Sequence, residues 1–109
     1  MMYPKLSIIA FAILTFTTSA FAQKNVLLDQ AYWKTNPTVE QVKAEIEKGN
    51  SPSEFNNNSF DATVMAINAE APNESIKFLL SQPGNGVNKL THDGRTYIFW
   101  SAARGNTEI

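Results

Sequence analysis

His92 and Asp93 are residues whose types and spacing suggest chemistry. His92 is the only histidine among 109 residues, and a carboxylate beside an imidazole can support acid–base catalysis. The pair lies at a turn signal, Asp93-Gly94, with no nucleophile or pocket indicated nearby, and catalysis needs such partners. We therefore interpret the pair as part of a solvated turn and expect the chain to have no catalytic activity of its own.

Composition excludes several kinds of site. The chain has no cysteine, which removes disulfides, a lipid-anchored cysteine and thiolate metal sites. The formal net charge is −1, and the basic residues are scattered, unlike the clustered Lys and Arg of nucleic-acid-binding proteins. No helix candidate pairs a basic face with a large apolar one, as a membrane-surface helix does. We expect no cofactor, no metal and no nucleic-acid partner.

The first 22 residues have the pattern of a secretory signal peptide. Lys5 gives a positive start, an apolar run extends from Leu6 to Phe16, and Ala20 and Ala22 form a small-residue cleavage site. The apolar run is shorter than the roughly 20 residues that span a bilayer. We expect residues 1–22 to be removed, so that Gln23 begins an exported protein, periplasmic or secreted, with no membrane attachment beyond the cleaved signal.

The remaining residues, 23–109, contain an internal repeat. When residues 60–76 are placed over residues 93–109, Thr63 falls on Thr96 and Ala69 on Ala102, at an ungapped offset of 33 residues. A small chain buries a low fraction of its surface, and stacked repeats compensate because neighbours share a core. The period of 33 is that of ankyrin repeats.

The segment from Ile76 to Ala102 carries the specific resemblance. It has a helix with paired leucines (Leu79, Leu80), a Gly-containing loop ending in Val87-Asn88, a turn with Gly94, and Thr96 opening a helix with small residues. In this order and at this period the sequence resembles the ankyrin repeat family. The resemblance implies an all-α solenoid of stacked helix-turn-helix units.

The repeat region divides into three units. Residues 25–58 form a degenerate capping repeat, residues 59–91 a second repeat, and residues 92–109 the start of a third repeat that lacks its second helix. The first unit is expected to contain helices at Leu27–Trp33 and Asn36–Gly49, the latter capped by Asn36 or Thr38 with Gln41 as a capping-box partner. Its loop from Gly49 to Thr63 is two residues longer than the matching loop from Gly84 to Thr96. We expect the chain to be a fragment of a longer array.

Each repeated position has a physical interpretation. Thr63 and Thr96 are expected to cap helices, and Ala69 and Ala102 to be small where repeats stack. Gly94 suits a turn position with positive φ, with Asp61 as its counterpart.

The aromatic residues are expected to lie partly in the core and partly on the surface. Trp33 and Phe99 are expected to fill the core between repeats. For Phe60 and Tyr97 the sequence leaves core and an exposed groove equally open.

In ankyrin-like proteins partners meet the turn tips and the concave face of the first helices. The resemblance therefore implies a binding surface at the matching positions of the second and third units: Ser59, Phe60, Ala62, Glu70, Ala71, His92, Asp93, Arg95, Ala103 and Arg104.

The expected function is protein–protein interaction by an exported module. One alternative is that the repeats form the N-terminal arm of a larger exported enzyme or toxin-related protein whose active domain lies beyond Ile109. Another is a structural spacer with featureless tips and no partner.

Overall fold

Residues 24–109 are described by the computed structural model, and their regular structure is entirely helical, with no β-strand among them. The all-α class predicted from the sequence is confirmed. The predicted signal peptide, residues 1–22, lies outside the described residues. None of the described helices is long and apolar enough to cross a bilayer. Residues 24–109 contain five α-helices: α1 Gln30–Trp33, α2 Val39–Glu47, α3 Ala62–Asn68, α4 Asn73–Leu80 and α5 Tyr97–Ala103.

The helices pack in two rows. In one row α3 lies between α1 and α5, and in the other α2 packs against α4, while contacts between α3 and α4 join the rows. Fully burying a large apolar side chain contributes roughly 1.5–3 kcal/mol, so the shared core between the rows is the main stabilising feature. The buried residues of this core are Leu27, Trp33, Val42, Ala62, Val64, Ala66, Ile67, Ala71, Ile76, Leu79, Tyr97 and Trp100.

The first predicted helix, Leu27–Trp33, is divided. A 3-10 helix covers Val26–Leu28, and α1 begins only after Asp29, whose extended backbone (φ −97°, ψ 115°) interrupts the helix. Asp29 accepts a hydrogen bond from Ala31 N and so caps α1. Trp33 is fully buried as predicted, and its indole N–H donates to Leu27 O at 2.8 Å.

Helix α2 begins after Thr38, one of the two caps that the sequence leaves open, and is shorter than the predicted range of Asn36–Gly49. Thr38 is its N-cap, and Gln41 N donates to Thr38 Oγ1 while Thr38 N donates to Gln41 Oε1. This reciprocal pair satisfies two backbone donors that a helix start would otherwise leave unpaired. Gly49 follows the end of α2 at φ 105°, a conformation that glycine adopts without strain.

The starts of α3 and α5 correct the predicted register. Asp61 is the N-cap of α3 and accepts a hydrogen bond from Val64 N at 2.9 Å, whereas Thr63 lies inside the helix and is fully buried. Thr96 occupies the N-cap of α5 but makes no side-chain capping bond. The equivalent positions are therefore Asp61 and Thr96, 35 residues apart, and the ungapped offset of 33 is wrong at the helix start.

The loops before α3 and α5 have the same construction at this spacing of 35. Asn56 N donates to Phe60 O in one turn, and Thr91 N donates to Arg95 O in the other. From Gly49 to Asp61 and from Gly84 to Thr96 the distance is twelve residues, so the predicted difference of two residues disappears once Asp61 is identified as the cap. The positive-φ counterpart of Gly94 (φ 67°) is Ser59 (φ 64°), and not Asp61.

Helix α5 presents a different face to the core than predicted. Tyr97 and Trp100 point inward and are buried, whereas Phe99 is 42% exposed and Ile98 is 77% exposed. The expectation that Phe99 fills the core is therefore wrong, and Tyr97 belongs to the core. Ala102 is exposed, while Ala69 is half-buried, so stacking explains the small size of Ala69 only.

Candidate functional site

The turns before α3 and α5 lie side by side and bring four rings together. The Phe60 and His92 rings stack with centroids 4.6 Å apart, and Phe60 meets the Trp100 ring edge-on at 5.6 Å. Phe99 contacts Trp100 edge-on at 5.2 Å. We call the group Phe60, His92, Asp93, Arg95, Phe99 and Trp100 the tip cluster.

Local hydrogen bonds position the tip cluster. Asn56 Oδ1 accepts from Asn58 N at 2.8 Å and from Phe60 N at 3.1 Å, which closes the first turn. In the second turn, Thr91 Oγ1 donates to Arg95 O and accepts from Trp100 Nε1 at 2.8 Å. The rings are thus held by short turns rather than by flexible loops.

His92 joins the two turns to each other. Its Nδ1 lies 2.7 Å from Asn58 O, and because a carbonyl oxygen only accepts, Nδ1 carries the proton and donates. The other ring nitrogen, Nε2, is 3.4 Å from Asp93 Oδ2. This arrangement fixes the orientation of the ring and links the two turns.

Arg95 lies at the outer edge of the tip cluster. Its guanidinium carbon is 4.1 Å from the centroid of the Phe99 ring and 5.7 Å from that of Trp100. The nearest carboxylate oxygen, Asp93 Oδ2, is 4.0 Å from Arg95 Nη1. The cation therefore lies over aromatic rings while its side chain stays partly exposed to solvent.

The structure separates the predicted binding residues into two groups. Ala62 and Ala71 are buried in the core, so neither belongs to a binding surface, because each packs between helices. Ser59, Glu70, Asp93, Arg95, Ala103 and Arg104 are exposed, and Phe60 and His92 are half-buried. Glu70 (φ 56°) and Arg104 lie past the ends of α3 and α5, away from the turns that form the tip cluster.

A buried polar network is a feature that the sequence interpretation missed. Asp61 is fully buried, and its Oδ2 lies 2.8 Å from Lys89 Nζ and accepts a hydrogen bond from the Tyr97 hydroxyl. Lys89 Nζ also donates to Ser53 O at 2.6 Å and to Asn85 Oδ1 at 3.1 Å. Burial, together with the neighbouring Asp61 carboxylate, raises the pKa of Tyr97 far above its ordinary range. The network ties the loop before α5 to the start of α3.

A shallow apolar groove crosses the outer side of α5. It has a volume of about 430 Å³ and includes Ile98, Ala102 and Ile109 in its lining. A second groove, between Leu80, Val87 and Ile98, adjoins it. Within residues 24–109 no group of three or more His, Asp or Glu side chains is arranged to hold a metal ion.

Comparisons with known proteins gave no match to a family model, to a curated protein or to a solved structure. The class that fold and site define together is an all-α protein with an aromatic and basic surface at its turns.

Proposed function

We propose that this chain is an exported ankyrin-repeat module that binds a protein partner through its turn tips and has no catalytic activity of its own. The observation that carries the proposal is the tip cluster, in which two equivalent turns, 35 residues apart, place aromatic and charged side chains next to one another. Aromatic residues and arginine are the side chains that contribute most often to binding hot spots.

The arrangement of helices supports the repeat part of the proposal. In an ankyrin solenoid, first helices form one row and second helices another, and the rows α1, α3, α5 and α2, α4 follow that order. The spacing of 35 residues exceeds the ankyrin period of 33. Since the two loops leading to Asp61 and Thr96 are equally long, the two additional residues lie between the start of α3 and Gly84.

The first step of the test is to identify a partner by crosslinking the exported protein in its own compartment. Two substitutions then alter the tips: Asn58→Arg adds a long side chain at an exposed turn residue, and His92→Ala removes the ring that joins the turns. Both should weaken capture of the partner while leaving the helical circular dichroism spectrum unchanged, because both residues lie outside the α-helices and outside the buried core.

Lys48→Ala is the control, since Lys48 is exposed at the end of α2 and, among residues 24–109, its side chain bonds to Glu45 alone. It should hold the partner as the unaltered chain does. If Asn58→Arg and His92→Ala also retain the partner with unchanged affinity, the turn tips are not the binding surface.

A further inference from the structure

Arg95 is held in place by the rings beneath it but has unused hydrogen-bonding capacity. Stacking on Phe99 covers one face of the guanidinium, and the side chain remains 42% exposed. Within residues 24–109, its closest charged partner is Asp93 Oδ2 at 4.0 Å, beyond hydrogen-bonding distance. A guanidinium has five N–H donors, so most of the donors at its edge are free for a ligand.

We propose that Arg95 binds a carboxylate group in an acidic segment of the protein partner, and that this segment lies against the exposed ring of Phe99. This inference rests on the proposed function and names the chemistry of its partner. A planar guanidinium matches a carboxylate through two parallel N–H···O bonds. Because the stacked side chain is already ordered before binding, little rotamer freedom is lost when the carboxylate arrives.

Asp93 provides a second test, because its substitution should change the affinity for a carboxylate in the opposite direction to substitution of Arg95. Its carboxylate, 60% exposed, faces both Arg95 and His92, and so it competes with an incoming carboxylate for the same cation. Asp93 has φ 58°, a left-handed conformation that asparagine adopts readily. The change Asp93→Asn therefore removes the competing charge while leaving the turn intact.

The experiment is a nuclear magnetic resonance titration of the protein with the acetylated and amidated peptide Glu-Leu-Glu-Glu-Leu. The matched probe is the same peptide with each Glu replaced by Gln. The Glu peptide should shift the Arg95 side-chain Nε–H resonance and bind at least about tenfold more tightly than the Gln peptide, as expected for hydrogen bonds to charged groups.

Three variants complete the test. Arg95→Gln should lose the preference for the Glu peptide, and Arg95→Lys should lose most of it, because lysine keeps the charge but lacks the planar fork. Asp93→Asn should bind the Glu peptide more tightly than the unaltered protein does. A weaker complex with Asp93→Asn would instead assign recognition to Asp93 and overturn the inference.

Other results also overturn it. Equal binding of the Glu and Gln peptides, or no binding of either, excludes a carboxylate site at Arg95. Tighter binding of a single-stranded oligothymidylate of equal charge would assign the stacked arginine to nucleic acid. A crosslinked partner released by Asn58→Arg but held normally by Arg95→Gln would reject this inference while leaving the proposed function intact.

Discussion

At the scale of single residues, the most unusual feature is the pair of charges enclosed between α3 and α5. Asp61 has no exposed surface and the Lys89 side chain is only 14% exposed. Removing one partner of such a pair leaves the other charge uncompensated, and this costs roughly 3–5 kcal/mol. Asp61 also caps α3 through Oδ1, so one carboxylate both begins a helix and holds the next loop.

We expect Lys89→Met to lower the free energy of unfolding by about 3 kcal/mol, because Asp61 would then be buried without its cation. Asp61→Asn retains a capping oxygen and removes the charge, so the double variant should be less destabilised than the sum of the two single variants. Urea unfolding of the four proteins gives the coupling energy. Additive losses would show that the two charges do not stabilise each other.

The sequence could not reveal this network, because its members are far apart along the chain and no local pattern links them. Asp61 and Lys89 are 28 residues apart, and His92 and Asn58, which link the two turns, are 34 residues apart. Each residue taken alone is typical of a solvated loop. Only the packing of α3 against α5 brings them together.

At the scale of elements, prediction succeeded where the information is local. The capping box of α2 is contained in the residues from Thr38 to Gln41, which predict it without the rest of the chain, and the structure selects Thr38 over Asn36 as the cap. The start of α3 was misplaced because Asp61 and Thr63 can both cap a helix, and burial of Thr63 decides between them. In α5 four consecutive residues from Tyr97 to Trp100 are apolar or aromatic, so the sequence contains no pattern that identifies the inward face.

Two threonines allow the capping argument to be tested within one chain. Thr38→Ala should lower the free energy of unfolding by about 1 kcal/mol, because the Gln41 N–H loses its acceptor. Thr96→Ala should change it by less than about 0.5 kcal/mol, since Thr96 makes no side-chain capping bond. Thermal or urea unfolding of both variants checks the contrast, and equal losses would contradict the capping geometry.

At the scale of the whole molecule, most of the large exposed apolar side chains among residues 24–109 lie on α5 and in the loop before it. Ile98 and Val87 are 77% and 75% exposed; Ile98 lines both adjoining grooves and Val87 lines the second. Contiguous exposed apolar patches of this kind promote association. The all-α class was predictable because helical patterns and turn signals recur along the chain, whereas the exposed face depends on how α5 is rotated.

We expect the protein to self-associate as its concentration rises, and Ile98→Glu to reduce that association by placing a charge in the groove. Leu90→Glu is the control, because Leu90 is also exposed, at 65%, but does not line either groove. Sedimentation velocity over a range of concentrations measures the effect. If both variants behave alike, the grooves are not the contact surface.

The buried amide of Asn85 has a chemical consequence. Asn85 precedes Gly86, the neighbour that least hinders cyclisation of an asparagine side chain to a succinimide, and the resulting hydrolysis leaves an aspartate or isoaspartate. Here the Asn85 amide donates to Pro52 O and Leu79 O, both at 2.9 Å, so it is held in place while the loop stays closed. Ageing at this bond would therefore proceed from molecules in which the loop before α5 has opened. Each deamidated molecule would therefore be one in which this loop had opened, and it would contain a new carboxylate at residue 85, beside that of Asp61.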